Sequence, residues 1–156
     1  MITVDKILCP TDFSEPSYKA LSIANDMAKQ FSAELILIHV LSPLQVFPAA
    51  TSGIPPVSPT PGGSLMEMKE QAQKSLEMTI EEKVSKEVKS TSLLLEGSVA
   101  EEIAQYAQMN NISVIVMGTH GFTGWRHLMV GSVTEKVVRI SLSPVLTIPA
   151  QEVGNG

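Results

Sequence analysis

Hydrophobic positions along the chain alternate between two periods. Lys6-Ile7-Leu8-Cys9 is a short apolar run closed by Pro10 and reads as a first strand. Ser14 can cap the helix that follows, with Pro16 tolerated in its first turn. Ala20, Ile23, Ala24, Met27, Ala28 and Phe31 then recur at helical spacing and predict one buried stripe. Leu35 to Val40 is continuously apolar apart from His39, as expected of a strand covered on both faces. Ser64 and Glu67 predict a capping box opening a long helix, whose stripe is Leu65, Met68, Ala72, Leu76, Ile80, Val84 and Val88. Its Glu- and Lys-rich remainder reads as a solvated face. Ser92 to Glu96 reads as a third strand ended by Gly97. Ser98 and Glu101 predict a second capping box, for a helix with Ala100, Ile103, Ala104 and Ala107 on its core face. Ile112 to Met117 is the fourth strand. A helix from Gly131-Ser132 should turn Val133, Val137 and Ile140 inward, and Val145-Leu146-Thr147-Ile148 closes the series.

Five strands alternating with four helices predict an α/β fold: a three-layer sandwich, Rossmann-like, with a parallel sheet, right-handed crossovers and helices on both faces. Ligands in such sheets sit outside the carboxyl ends of the strands, where the strand order reverses. Residues 1–150 form one domain by this reading, and 151–156 a tail. Between Leu41 and Ser64 no period survives. Six of the ten prolines fall there, which reads as a flexible loop closing over the domain as a flap.

Composition narrows the function. A chain of 156 residues is one domain's worth. A formal net charge of −5 without a basic cluster argues against a nucleic-acid surface. It also leaves any anionic ligand to local dipoles, a metal ion or one or two cations. The single cysteine, Cys9, permits no internal disulfide and suggests a reducing compartment. With no signal-like start and no apolar run of membrane-spanning length, the expected location is the cytoplasm, without a membrane partner.

The candidate chemistry lies between Met117 and Ser132. A strand feeds a glycine-rich loop, and a helix leaves it, the arrangement that lets backbone N–H groups converge on an anion. The same glycines would also suit an ordinary turn. No GxGxxG and no Gly-Lys-Ser/Thr is present. Gly118, Gly121, Gly131 and Ser132 instead fill the pattern Gly, two residues, Gly, nine residues, Gly, Ser or Thr. With this pattern the chain resembles the universal stress protein family, from Lys6-Ile7-Leu8 to Pro144-Val145-Leu146. In that family the pattern marks the members that bind ATP.

The resemblance implies strand order 3-2-1-4-5, so that Pro10-Thr11-Asp12 and the glycine loop face each other across the reversal. It implies that Pro10-Thr11-Asp12 begins the first nucleotide contact, with the Asp12 carboxylate accepting from ribose hydroxyls, and that the backbone of Val40 meets adenine. Gly118, His120 and Gly121 would line ribose and phosphates, with Met117 also in the nucleotide-binding set. Ser132 and Val133 would hold the terminal phosphates at a helix N-terminus, with Thr134 as an extra hydroxyl. Taken alone, Asp12 also suits a turn residue satisfying its own backbone, and His120 reads as a satisfied loop histidine rather than a base. Trp125 and Met129 read as packing residues. Phe122 stands where the family commonly carries a basic residue, so phosphate affinity would rest on Arg126, on Mg²⁺ and on backbone dipoles. Ser113 replaces the family's usual Asp, a change expected to affect packing.

No His-x-Gly-His and no Ser-Gly-Gly-x-Asp is present, and no paired carboxylates, Cys–His pair or metal-ligand cluster stands out. The expectation is an ATP-binding stress-response regulator or sensor acting on an unknown protein partner, without catalytic residues. The alternatives are a nucleotide-free dimeric scaffold and a weak ATPase. The family resemblance also implies a homodimer through the edge strand Val145 to Ile148.

Overall fold

In the computed structural model, residues 1–42, 64–120 and 130–150 are described. They form β1 (Lys6–Pro10), α1 (Glu15–Phe31), β2 (Glu34–Leu41), α2 (Leu65–Lys83), β3 (Ser90–Glu96), α3 (Val99–Met109), β4 (Val114–Gly118), α4 (Ser132–Ile140) and β5 (Val145–Ile148). The expected proline-rich flap and the tail lie outside the described residues.

The sheet is parallel, in the order β3-β2-β1-β4-β5. Period-2 alternation divides its side chains between two cores. Ile7, Cys9, Leu35, Leu37 and Val116 pack under α1 and α2 with Ala20, Ala24, Ala28 and Leu76. Leu8, Ile36, Ile38, Val40, Ile115 and Met117 pack under α3 and α4 with Ala100, Ile103, Ala107 and Val137. Both faces of β1, β2 and β4 are therefore buried, which is why these strands read as unbroken apolar runs. The helix after β1 and the helix after β4 cover opposite faces. A crevice opens between the carboxyl ends of these two neighbouring strands, as the strand-order rule requires.

Three expectations need correction. In α1, Ile23 is 37% exposed and Phe31 51% exposed, while Ser17, Leu21 and Asn25 are buried. The buried face is turned because polar residues on it have their own partners: the Asn25 amide exchanges hydrogen bonds with Ser85 (2.9 and 3.2 Å), and Ser17 Oγ donates to the Ser14 carbonyl (2.8 Å). In α2, Leu65 is exposed and Thr79 is buried. In α4, Val137 is buried, but Val133 and Ile140 lie more than a third exposed at 38% and 37%, because α4 covers only the sheet margin beside β5.

The capping expectations divide. Ser64 and Glu67 form a complete box. Ser98 instead donates its hydroxyl to the Glu101 carboxylate, which also takes the Lys136 ammonium of α4, so α3 has no side-chain cap. β4 begins at Val114, later than Ile112, because the Ile112 amide closes the end of α3 on Ala107 O (3.0 Å). Ser113 Oγ accepts the amides of Asp5 (3.0 Å) and Lys6 (3.2 Å), a packing role at the start of β1, as the substitution there implied.

Candidate functional site

The crevice holds a cavity of about 410 Å³. This lies within the usual range for small-molecule sites. From β1 and the loop after it come Pro10, Thr11 and Asp12; from β2 come Ile38, His39 and Val40. Met117 and Gly118 of β4 and His120 just after it line the cavity, and Gly131, Ser132, Val133 and Thr134 line it from the start of α4. Val99 and Ile103 of α3 and Ser17 of α1 complete the wall. Of the thirteen residues expected from the sequence, eleven line this cavity; Gly121 and Arg126 lie outside the described residues, as do Phe122, Trp125 and Met129.

Each polar side chain has a definite state. Asp12 Oδ1 accepts the Ser14 amide (3.0 Å) and the Ser14 hydroxyl, the local turn contact that its position allows. Among the described residues Oδ2 takes no hydrogen bond. Thr11 is fully engaged: its amide donates to Ile38 O (2.8 Å), its hydroxyl accepts Phe13 N (3.0 Å) and meets Ser17 Oγ (3.0 Å), and its carbonyl accepts His39 Nδ1 (2.7 Å). The Thr134 hydroxyl donates to Gly118 O (2.8 Å) and keeps its acceptor lone pairs on the cavity wall. At His120, expected as a satisfied loop histidine, Nδ1 meets Thr119 Oγ1 (2.9 Å); among the described residues buried Nε2 has no partner.

The glycines have structural reasons of their own. A Cβ on Gly118 would stand 3.0 Å from Pro16 O, so α1 approaches β4 closely because that residue is bare. Gly131 caps α4 at φ −57°, a conformation open to any residue, and its Cβ would stand 3.1 Å from Thr119 O. A side chain at Gly131 therefore meets backbone before it meets a ligand. Among the described residues the helix behind it has no side-chain cap, unlike α1 and α2, and its first residues, Ser132 to Thr134, line the cavity.

Five lining residues were not anticipated: Ser17, Ile38, His39, Val99 and Ile103. Ile38 and Ile103 read in the sequence as core, and apolar Val99 beside them carried no separate signal. His39 carried a signal, a polar interruption in an apolar strand.

The universal stress protein family model matches residues 3–149. The chain belongs to the universal stress protein family. Among its members it is 34% identical to universal stress protein YxiE of Bacillus subtilis, over 92% of this chain and 98% of that one. It is 36% identical to universal stress protein MJ0531 of Methanocaldococcus jannaschii, over 92% and 81%. The solved structure of MJ0577 from the same archaeon superposes with a TM-score of 0.68 at 26% identity, covering 97% of this chain and 99% of that one. The same fold recurs, at 20% and 16% identity and a TM-score of 0.64 each, in an Archaeoglobus fulgidus universal stress protein solved with dAMP and in a universal stress protein solved with cAMP.

Proposed function

We propose that this universal stress protein binds ATP in the β1–β4 crevice and acts as a nucleotide-dependent regulator or sensor of a stress response in the cytoplasm. The observation that carries this is the polarity of the cavity. Ile38, Val40, Val99, Ile103 and Met117 belong to one packed apolar cluster, and Asp12, His120, Ser132 and the N-terminus of α4 line the same cavity. A base, a ribose and a phosphate chain ask for that mixture of apolar surface, carboxylate and helix start. That two proteins of this fold were solved with adenine nucleotides supports the choice of base. Ser132 and Val133 N–H groups would take the terminal phosphates, and Oδ2 of Asp12 a ribose hydroxyl. Gly121 and Arg126 belong to the same proposed site.

Mg²⁺ would accompany the phosphates. Among the described residues no three His, Cys, Asp or Glu side chains cluster. Asp12 and the Ser132 hydroxyl are among the oxygens on the cavity wall, donors suited to an ion that keeps most of its ligands from phosphate and water. We assign no catalytic residue. The ring of His120 is tied to its neighbour Thr119 and not to an acid that would orient it as a base, so hydrolysis would be incidental.

A second reading is favoured by one observation: the bareness of Gly118 and Gly131 is explained by backbone packing alone. On that reading the chain is a nucleotide-free scaffold. Mass spectrometry of the supernatant from heat-denatured protein, with calorimetric titration of Mg-ATP, separates the two. Released or titrated adenine nucleotide supports the first. A chain that takes up none, while Ser132→Ala and exposed Lys74→Ala on α2 behave like it, leaves the scaffold.

Assembly is part of the proposal. β5 is an edge strand with Leu146 38% exposed, and Val138 and Leu142 beside it are exposed as well. We expect a two-fold homodimer in which β5 pairs antiparallel with its twin, and a nucleotide-sensitive surface for a regulatory protein. A monomeric mass by light scattering at micromolar concentration would refute the dimer.

A further inference from the structure

Asp12 sits between two residues that are both fastened to one imidazole. On one side, the Thr11 carbonyl accepts His39 Nδ1 at 2.7 Å. A carbonyl only accepts, so Nδ1 carries the proton. On the other side, the Phe13 ring packs on the His39 ring, with centroids 4.7 Å apart and planes at 41°. Phe13 has φ 62°, a left-handed conformation unfavourable for a bulky residue and held only where its surroundings impose it. His39 is well placed to impose it. It lies in β2 between buried Ile38 and Val40, paired to β3 at Leu94, in the interior of the sheet. The Ser14 amide and hydroxyl then fix Oδ1 of Asp12, so the carboxylate has one settled direction.

We propose that His39 is a positioning residue for the nucleotide site: its imidazole braces Thr11 and Phe13 together and thereby aims Asp12 at the ribose hydroxyls. This rests on the nucleotide reading of the cavity. The brace has two separable parts. His39→Asn keeps an N–H where Nδ1 stood and loses the ring; His39→Phe keeps a ring against Phe13 and loses the N–H; His39→Leu loses both.

The test is calorimetric titration of Mg-ATP into the full chain. Asp12→Ala should weaken binding about tenfold, the scale of one hydrogen bond to a charged group. His39→Leu should weaken it by a comparable factor. His39→Asn and His39→Phe should each bind more tightly than His39→Leu. In an Asp12→Ala background, His39→Leu should change affinity less than twofold, because the residue being aimed is gone. Amide exchange at Phe13 and Ser14 of the unliganded chain should quicken in His39→Leu. Wild-type affinity in His39→Leu overturns the proposal. So does a loss that adds in full to that of Asp12→Ala, which would make the imidazole itself a ligand contact. If His39→Leu fails to fold, the same cycle is run with His39→Phe and read the same way. A wild-type chain that takes up no Mg-ATP instead sinks the nucleotide reading, and this proposal falls with it.

Discussion

Replacing Gly118 by alanine would put a Cβ 3.0 Å from the carbonyl oxygen of Pro16, 3.3 Å from its carbonyl carbon and 3.4 Å from His120 O. All three atoms are backbone, and Pro16 lies in the first turn of α1, which the Ser14 cap holds in place. No flexible side-chain end can swing away, so the end of β4 or the start of α1 must shift. The backbone of Gly118 is not in the left-handed region, which removes φ strain from the balance. Overpacking of this kind costs about 1–3 kcal/mol. Alanine also narrows the unfolded ensemble, which returns about 0.4–1 kcal/mol. The net loss should be about 1–2 kcal/mol. For a chain of 156 residues that lowers Tm by roughly 2–8 °C. Urea unfolding followed by circular dichroism reads it directly, with an unchanged slope showing that the transition is the same. Because Gly118 and Ser17, the residue after Pro16, both line the cavity, nucleotide affinity should fall along with stability. A Gly118→Ala chain as stable as wild type that nevertheless loses Mg-ATP would refute the packing explanation and make the glycine a requirement of the ligand alone.

Thr134→Val should leave the part-buried Gly118 carbonyl without its 2.8 Å donor, at a cost of about 1 kcal/mol by denaturant unfolding, and Thr134→Ser should recover most of it. Cys9 is fully buried, and burial pushes its thiol up to about 12, so Ellman's reagent at pH 8 should label it only after unfolding; prompt labelling of the native chain would contradict this. The Lys136 ammonium, then the Ser98 hydroxyl, hold the Glu101 carboxyl down from 4.5 to about 2. A lowered folded-state value means that the stabilisation is present above pH 4.5 and is lost as pH falls toward 2, so the stability gap between wild type and Glu101→Gln should close across that window and shrink with added salt.

How much of this could be read from the residues differs by element. β1, β2 and β4 were legible because burial on both faces leaves no polar phase to confuse the pattern. Their order was not, since apolar runs carry no neighbour information; it came with the family pattern. Helix faces were misjudged where buried polar groups carry the contact. Asn25 and Ser17 are buried because each has a partner, and counting apolar residues passes over both. The candidate site was legible at Gly118, Gly131 and Ser132, whose spacing is a pattern, and at Pro10 to Asp12, which end a strand. The apolar wall was not: Ile38, Val99 and Ile103 are indistinguishable from core until α3 is laid beside β2. His39 stood in plain view as the one polar residue in an apolar strand, but what it braces depends on a neighbouring strand's loop.

The two tethers at the end of β4 have a consequence for chain length. The Gly131 amide donates to Thr119 O, and Thr134 donates to Gly118 O, so the chain leaves β4 and returns to α4 at the same place. The connection from His120 to Val130 is therefore joined to the fold at two fixed ends. For a connection closed at both ends, doubling the length costs only about 0.6 kcal/mol in closure entropy. Residues could be inserted there without moving either tether or the helix start. Stability therefore sets no tight limit on the nine residues between Gly121 and Gly131. A fixed spacing there is a demand made by whatever those residues have to reach.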